Sequence, residues 1–210
     1  SRPAGLAYHP RVRTPVDSLP PEATPLRDAF ARHLAATGLL DGATALVAAC
    51  SGGADSTALL ALLVREAALR DLPLVAFHVD HQLRGEEGHR DARAAADLAT
   101  QLGLPFVFRS FPVRDLRVAG ESLESAARRL RYESLLALGR DLGPGTLLAT
   151  GHTLEDQAET VLLHLERRVG RSRGGVRARR SDGVVRPLLP FRREALRDHL
   201  RAEGIPWRED

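Results

Sequence analysis

Ser51-Gly52-Gly53-Ala54-Asp55-Ser56 follows an apolar run, Ala43 to Cys50, and opens a leucine-rich run, Thr57 to Val64. The pattern reads as strand, tight glycine loop, helix. Two glycines let the backbone approach an anion closely, because no Cβ stands in the way. The unpaired N–H groups of the helix's first turn then point at that anion, with the positive end of the helix dipole behind them. Ser51 and Ser56 add hydroxyl donors, and Gly52, Gly53 and Ala54 supply the cradle. A carboxylate at Asp55 repels phosphate directly and suggests a bridging Mg²⁺. The loop has no GK[ST] and so is not a Walker A loop. The same six residues also suit a serine-glycine turn that caps a core helix.

Working outward, strands and helices alternate. Upstream, Leu26, Phe30 and Leu34 share one helical face and Gly38 suits its C-cap. Residues 1–25 hold six prolines and read as an irregular arm. Downstream, strands are expected at Leu74–Val79, Phe106–Phe111, Thr146–Thr150 and Val184–Leu189. Helices are expected at Ser56–Leu69, Glu87–Leu102, Ser122–Leu138, in the stretch after Gly151, and at Arg192–Ala202. This alternation argues an α/β fold with a doubly wound, mainly parallel sheet, Rossmann-like in layout.

With 43% apolar and 27% charged residues, the composition is that of a water-soluble globular domain. No apolar run reaches the ~20 residues that span a bilayer, so no membrane partner is expected and a cytoplasmic location is. One cysteine, Cys50, excludes a disulfide framework within the chain and any cysteine-rich metal site. The net charge is +3, and every basic side chain other than histidine is arginine. Arginine grips phosphate bidentately, which suits a nucleic-acid partner; a codon bias toward arginine produces the same composition.

Three strand ends carry polar clusters: the glycine loop, Asp80-His81, and Glu155-Asp156-Glu159, with His152 also beside a strand end. In a parallel sheet these ends converge on one edge, where ligands bind. Asp156 and Glu159 lie one turn apart on a helix face, and such like charges call for a cation or a substrate amine. A single acidic residue there would merely complement the helix dipole. Arg128 and Arg131 are likewise one turn apart and suit a phosphate or a base carbonyl, or a solvated helix face. The arginines from Arg167 to Arg180 read as a solvated loop or a phosphate-tracking arm.

Taken together, SGGADS at 51–56, HVDHQLR at 78–84, ESLESAARRLRY at 121–132, GHTLEDQAET at 151–160, RPLL at 186–189 and WRED at 207–210 resemble the PP-loop ATP pyrophosphatases. Within them the set resembles the tRNA(Ile)-lysidine synthetases. The resemblance implies an adenine-nucleotide α-hydrolase-like fold with a five-stranded sheet. It implies residues 26–210 as the catalytic domain, with the family's C-terminal tRNA-binding domains lying outside this sequence. The implied reaction uses ATP to adenylate the first anticodon cytidine of a tRNA(Ile) bearing CAU. Free L-lysine then displaces AMP to form lysidine. In that picture Ser51 to Ser56 hold the phosphates with Asp55 on Mg²⁺, and Asp80, His81 and His152 complete the nucleotide site. Asp156 and Glu159 receive the lysine, and Arg128 or Arg131 stabilises phosphate charge. A homodimer is compatible with the sequence. Glu155 departs from the family's usual Asp, and the glycine-rich stretch that follows is heavily arginine-substituted.

Overall fold

A computed structural model describes residues 24–166 and 175–209. Most of the expected N-terminal arm and the arginines at 167, 168, 171 and 173 lie outside the described residues. The elements are α1 (Pro25–Thr37), β1 (Ala45–Ala49), α2 (Ala54–Leu69), β2 (Leu74–Asp80), α3 (Glu86–Gln101), β3 (Phe106–Ser110), α4 (Val113–Leu116), α5 (Leu123–Leu142), β4 (Thr146–Ala149), α6 (Leu154–Glu166), β5 (Val184–Val185) and α7 (Arg193–Ala202). Helix α1 starts inside the stretch expected to be irregular. Pro25 suits the first helical position, and the Thr24 side chain accepts from the Arg27 N–H.

The five strands form one parallel sheet in the order β3-β2-β1-β4-β5. Side-chain alternation explains how both faces are covered. Leu46, Ala48, Leu74, Ala76, Leu147 and Ala149 join the larger core with α1, α2, α3 and α7. Val47, Val75, Phe77, Leu148 and Val184 point the other way and pack on Leu135 of α5. Near-continuous apolar strands are what a sheet buried on both sides requires.

The expected strand at 184–189 shrinks to two residues. Pro187 has no N–H to offer a ladder. The Arg186 N–H turns to the Ala178 carbonyl at 2.8 Å, and the Leu189 N–H closes a turn on Arg186. The expected irregular connector after β3 contains the short helix α4. Its Val113 is fully buried against Ala126 and Leu130 of α5.

In this strand order the chain runs outward from β1 through β2 to β3, then crosses back to β4 and β5. The turning point lies between β1 and β4, and ligands of such sheets bind beyond the strand ends there.

Candidate functional site

A cleft of about 480 Å³ opens at that turning point. Ser51, Asp55 and Ser56 line it from β1 and α2, Asp80 and His81 from β2, and His152 and Asp156 from β4 and α6. The sheet thus gathers the three polar strand ends that lie apart in sequence. Arg131 also lines the cleft.

The phosphate-loop geometry follows from its residues. Gly52 adopts φ +95°, a backbone conformation that disfavours any side chain. Gly53 is the N-cap of α2, with no side-chain cap on the first-turn N–H groups. Those donors are left available to an anion. Ser56 Oγ accepts from the Ser51 N–H and donates to the Gly53 carbonyl, both at 3.0 Å, which ties the loop shut. A Cβ on Gly151 would lie 3.2 Å from the Ser56 nitrogen. Glycine there lets the end of β4 pack directly on the first turn of α2.

Two further segments set the loop's position. The Arg208 N–H donates to the Gly52 carbonyl at 3.0 Å. Its guanidinium binds Asp91 Oδ1 and Glu87 Oε2 at 2.5 Å each. The segment at 205–209 therefore clasps the glycine loop to α3. Asp80, in turn, accepts from the Gln82 N–H at 2.8 Å and orders the loop that leads into α3.

The carboxylates divide their work. Asp156 Oδ2 accepts from the Thr153 N–H and hydroxyl at 2.7 and 3.0 Å, capping α6. Its Oδ1 binds Arg193 Nη2 at 2.6 Å, and Asp55 Oδ2 binds Arg193 Nε at 3.1 Å. Glu155 turns away from the cleft lining. Both its oxygens accept from the Arg193 N–H, at 3.2 and 3.1 Å, and so hold the start of α7. Burial opposes ionisation of Glu155, yet the backbone N–H bonds, the Thr153 hydroxyl and the Arg193 charge together outweigh it and bring the pKa below its ordinary value. Burial pushes the Asp55 carboxyl up from its ordinary value, against the pull of Arg193. Glu159 is exposed and lies outside the lining. The three expected carboxylates are thus not one cluster: the structure joins Asp156 to Asp55 instead.

On α5, Arg131 brings a cation to the cleft lining. Arg128 and Arg131 lie 5.3 and 5.7 Å from the ring centroid of Tyr132, with Arg180 at 5.4 Å. Among the described residues neither Arg128 nor Arg131 forms an ion pair. Burial holds Arg131 below the ordinary arginine value. His152, hydrogen-bonded to Thr150 Oγ1 at 3.0 Å, is lowered to about 4 by burial and then by Arg186. It is therefore neutral at physiological pH. His81 is lowered too, by burial and then by Arg131, and its Nδ1 is buried without a partner among the described residues. Arg128 itself is exposed and lies outside the cleft lining. Of the expected arginine arm, Arg180 is paired with Asp182 and Arg179 donates to the Asp41 carbonyl.

Sequence reasoning passed over Arg193 and Asp91, and it quoted Tyr132 and Arg208 only within motifs, with no role of their own. Arginines have no local signature in a chain with 30 basic residues, since only packing tells a site arginine from a solvated one. Among the described residues no group of three or more His, Cys, Asp or Glu side chains converges on a metal position. Mg²⁺ asks for less: one or two carboxylates, waters and substrate phosphates. Asp55 and Asp156, which reach a common guanidinium beside the phosphate loop, fit that demand.

The cleft can therefore seat a polyanion on the α2 N-terminus and a cation on the acidic pair. Comparisons with known proteins agree in kind. The PP-loop domain family matches residues 26–210. The tRNA(Ile)-lysidine synthase of a Thermus thermophilus strain is 48% identical over 167 residues, covering 79% of this chain and 31% of that protein. The tRNA(Ile)-lysidine synthase of Alkalilimnicola ehrlichii is 42% identical over 194 residues, covering 90% of this chain and 41% of that protein. The chain thus spans about a third to two-fifths of the length of these relatives. The U34-tRNA thiolase NcsA of Methanococcus maripaludis superposes with a TM-score of 0.66 at 18% identity, covering 87% of this chain and 64% of that one, a likeness of fold.

Proposed function

Since this chain belongs to the PP-loop domain family, we propose that it is the catalytic part of an ATP-dependent ligase that joins lysine to the first anticodon cytidine of a tRNA(Ile) bearing CAU. The observation that carries this reading is one cleft with two opposed binding chemistries. An uncapped helix N-terminus in a glycine loop faces it from β1, and the Asp55–Asp156 pair stands beside that loop. Such a site suits a reaction that consumes a nucleoside triphosphate and a cationic amine. The names of the relatives supply the substrate identities.

In this reading the cytidine carbonyl oxygen attacks the α-phosphorus and pyrophosphate leaves. The ε-amine of lysine then attacks the activated carbon, AMP departs, and the amine loses a proton. Residues 51–56 hold the phosphates; Asp80, His81 and His152 bound the nucleotide's side of the cleft. Asp55, with Asp156, would hold Mg²⁺, which supplies charge neutralisation at the phosphates. Arg131 is the first candidate to meet developing phosphate charge, since it lines the cleft and no carboxylate among the described residues pairs with it. Arg128 lies against the same tyrosine, outside the cleft lining. With Asp156 on the metal, Glu159, exposed on α6 outside the cleft lining, is the carboxylate left to meet the lysine ammonium and to take the proton that makes the amine nucleophilic. A tRNA substrate suits a cytoplasmic location.

A thiolase reading shares the fold but has only Cys50 for sulfur chemistry here. That thiol is buried, and burial pushes its pKa up, which disfavours the reactive thiolate. The deciding measurement is AMP release by the full-length natural protein with ATP, Mg²⁺ and an unmodified CAU tRNA(Ile) transcript. Lysine-dependent release supports the reading. Absence of release with all components present would sink it.

A further inference from the structure

Arg193 is the first residue of α7, and it is anchored at both ends. Its backbone N–H is held by both oxygens of Glu155, at 3.2 and 3.1 Å. Its guanidinium spans Asp55 and Asp156, which arrive from different strand ends. The side chain is nonetheless 41% exposed, while Asp55 and Asp156 are 26% and 25% exposed. A guanidinium this open can swing to water without leaving an unsatisfied buried donor behind. The carboxylates have no such freedom. Asp156 is fixed by Thr153, and Asp55 sits in the first turn of α2.

Removing Arg193 from its place would leave two carboxylates facing one another beside the phosphate loop. Like charges so placed repel and draw in a replacement cation. The backbone anchor matters here, because it keeps the displaced guanidinium on a short leash at the cleft wall.

We propose that Arg193 is a displaceable internal cation, which occupies the Asp55–Asp156 pair until a divalent cation arriving with the nucleotide takes its place. Asp55 and Asp156 then pass from guanidinium to metal without the pair ever standing uncompensated. The arrangement makes metal binding weak without nucleotide, since the metal must evict a covalently tethered competitor. With the triphosphate present, its oxygens add to the metal's ligands and the balance turns. The freed guanidinium, still tethered at Glu155, becomes a bidentate donor for a phosphate oxygen in the same cleft. This rests on the ATP-dependent reading above and adds a residue to its machinery.

Mn²⁺ serves as the probe, followed by the loss of its free electron-paramagnetic signal on titration into the full chain without nucleotide or tRNA. The Arg193→Gln variant is expected to bind Mn²⁺ about five- to tenfold more tightly than the parent, the scale set by two part-exposed ion pairs. Arg193→Lys keeps a charge but cannot fork to two carboxylates, and is expected to fall between. Adding Asp156→Asn to Arg193→Gln should abolish the gain. Equal or weaker Mn²⁺ binding in both the Gln and Lys variants overturns the proposal. Because no lysine or tRNA is present, that failure is separate from failure of the ligase reading, which AMP release tests on the parent protein.

Discussion

The two ends of α7 use the same chemistry for opposite purposes. At its C-terminal end, Arg27 of α1 pairs with Glu203, with side chains only 7% and 2% exposed. His199 lies beside them and is hydrogen-bonded to Thr24 Oγ1 at 3.0 Å. At its N-terminal end, Arg193 shares two carboxylates in an open cleft. The first cluster is sealed between helices, and its charges are held out of water. The second is half in water, and its cation can be exchanged. Burial, more than residue type, separates a structural ion pair from a binding site.

Breaking the sealed end should have the largest effect. Glu203→Ala removes one partner of a buried ion pair with Arg27 and is expected to cost about 3–5 kcal/mol of stability, read by chemical denaturation. Activity per folded molecule should be unchanged. A loss under ~1 kcal/mol would mean that the sealed pair is no more structural than an exposed one.

Breaking the open end should do the reverse. Asp55→Ala is expected to lower lysine-dependent AMP release at least ~100-fold, as loss of a metal or charge-stabilising group does, with the thermal midpoint nearly unmoved. Unchanged activity would remove Asp55 from the chemistry.

Acid sharpens the contrast. Burial, and then Arg27, lowers His199 to about 4 from 6.5. Between those values the unfolded chain binds a proton that the folded chain refuses. Stability present above pH 6.5 is therefore lost as the pH falls toward about 4. His152, lowered to about 4 in the cleft, adds in the same direction. In His199→Leu the fall in denaturation free energy across this window should be shallower than in the parent. An identical slope would assign the acid sensitivity elsewhere.

The smallest effect is expected at the clasp. Arg208→Gln loses the ties to Asp91 and Glu87 but keeps the backbone bond to Gly52. A rise of about three- to tenfold in the KM for ATP, with kcat little changed, is the expected outcome. A fall in kcat alone would show that Arg208 acts on chemistry and not on loop position.

Much of the frame was legible because its physics is local. Apolar runs bounded by turn residues marked the strands, and glycines followed by a leucine-rich stretch marked the phosphate loop. Elements went wrong where tertiary contacts overrode local pattern. Val184 to Leu189 reads as a strand, yet the Arg186 N–H finds Ala178 and Pro187 cannot pair. The acidic run at 155–159 reads as one cluster because the residues are neighbours in sequence. Packing sends Glu155 to α7, Asp156 to Arg193 and Thr153, and Glu159 to solvent.

By itself the sequence determined the α/β class, the parallel sheet, the phosphate loop and the residue types that carry charge, since periodicity, glycine freedom and uncapped helix ends are properties of short segments. Only the tertiary structure decided which charges meet. Asp55 and Asp156 lie far apart along the chain, and Arg193 and Arg208 come from its last helix and the segment after it. No local rule relates them, because an ion pair depends on distance in space and on how much water is excluded around it.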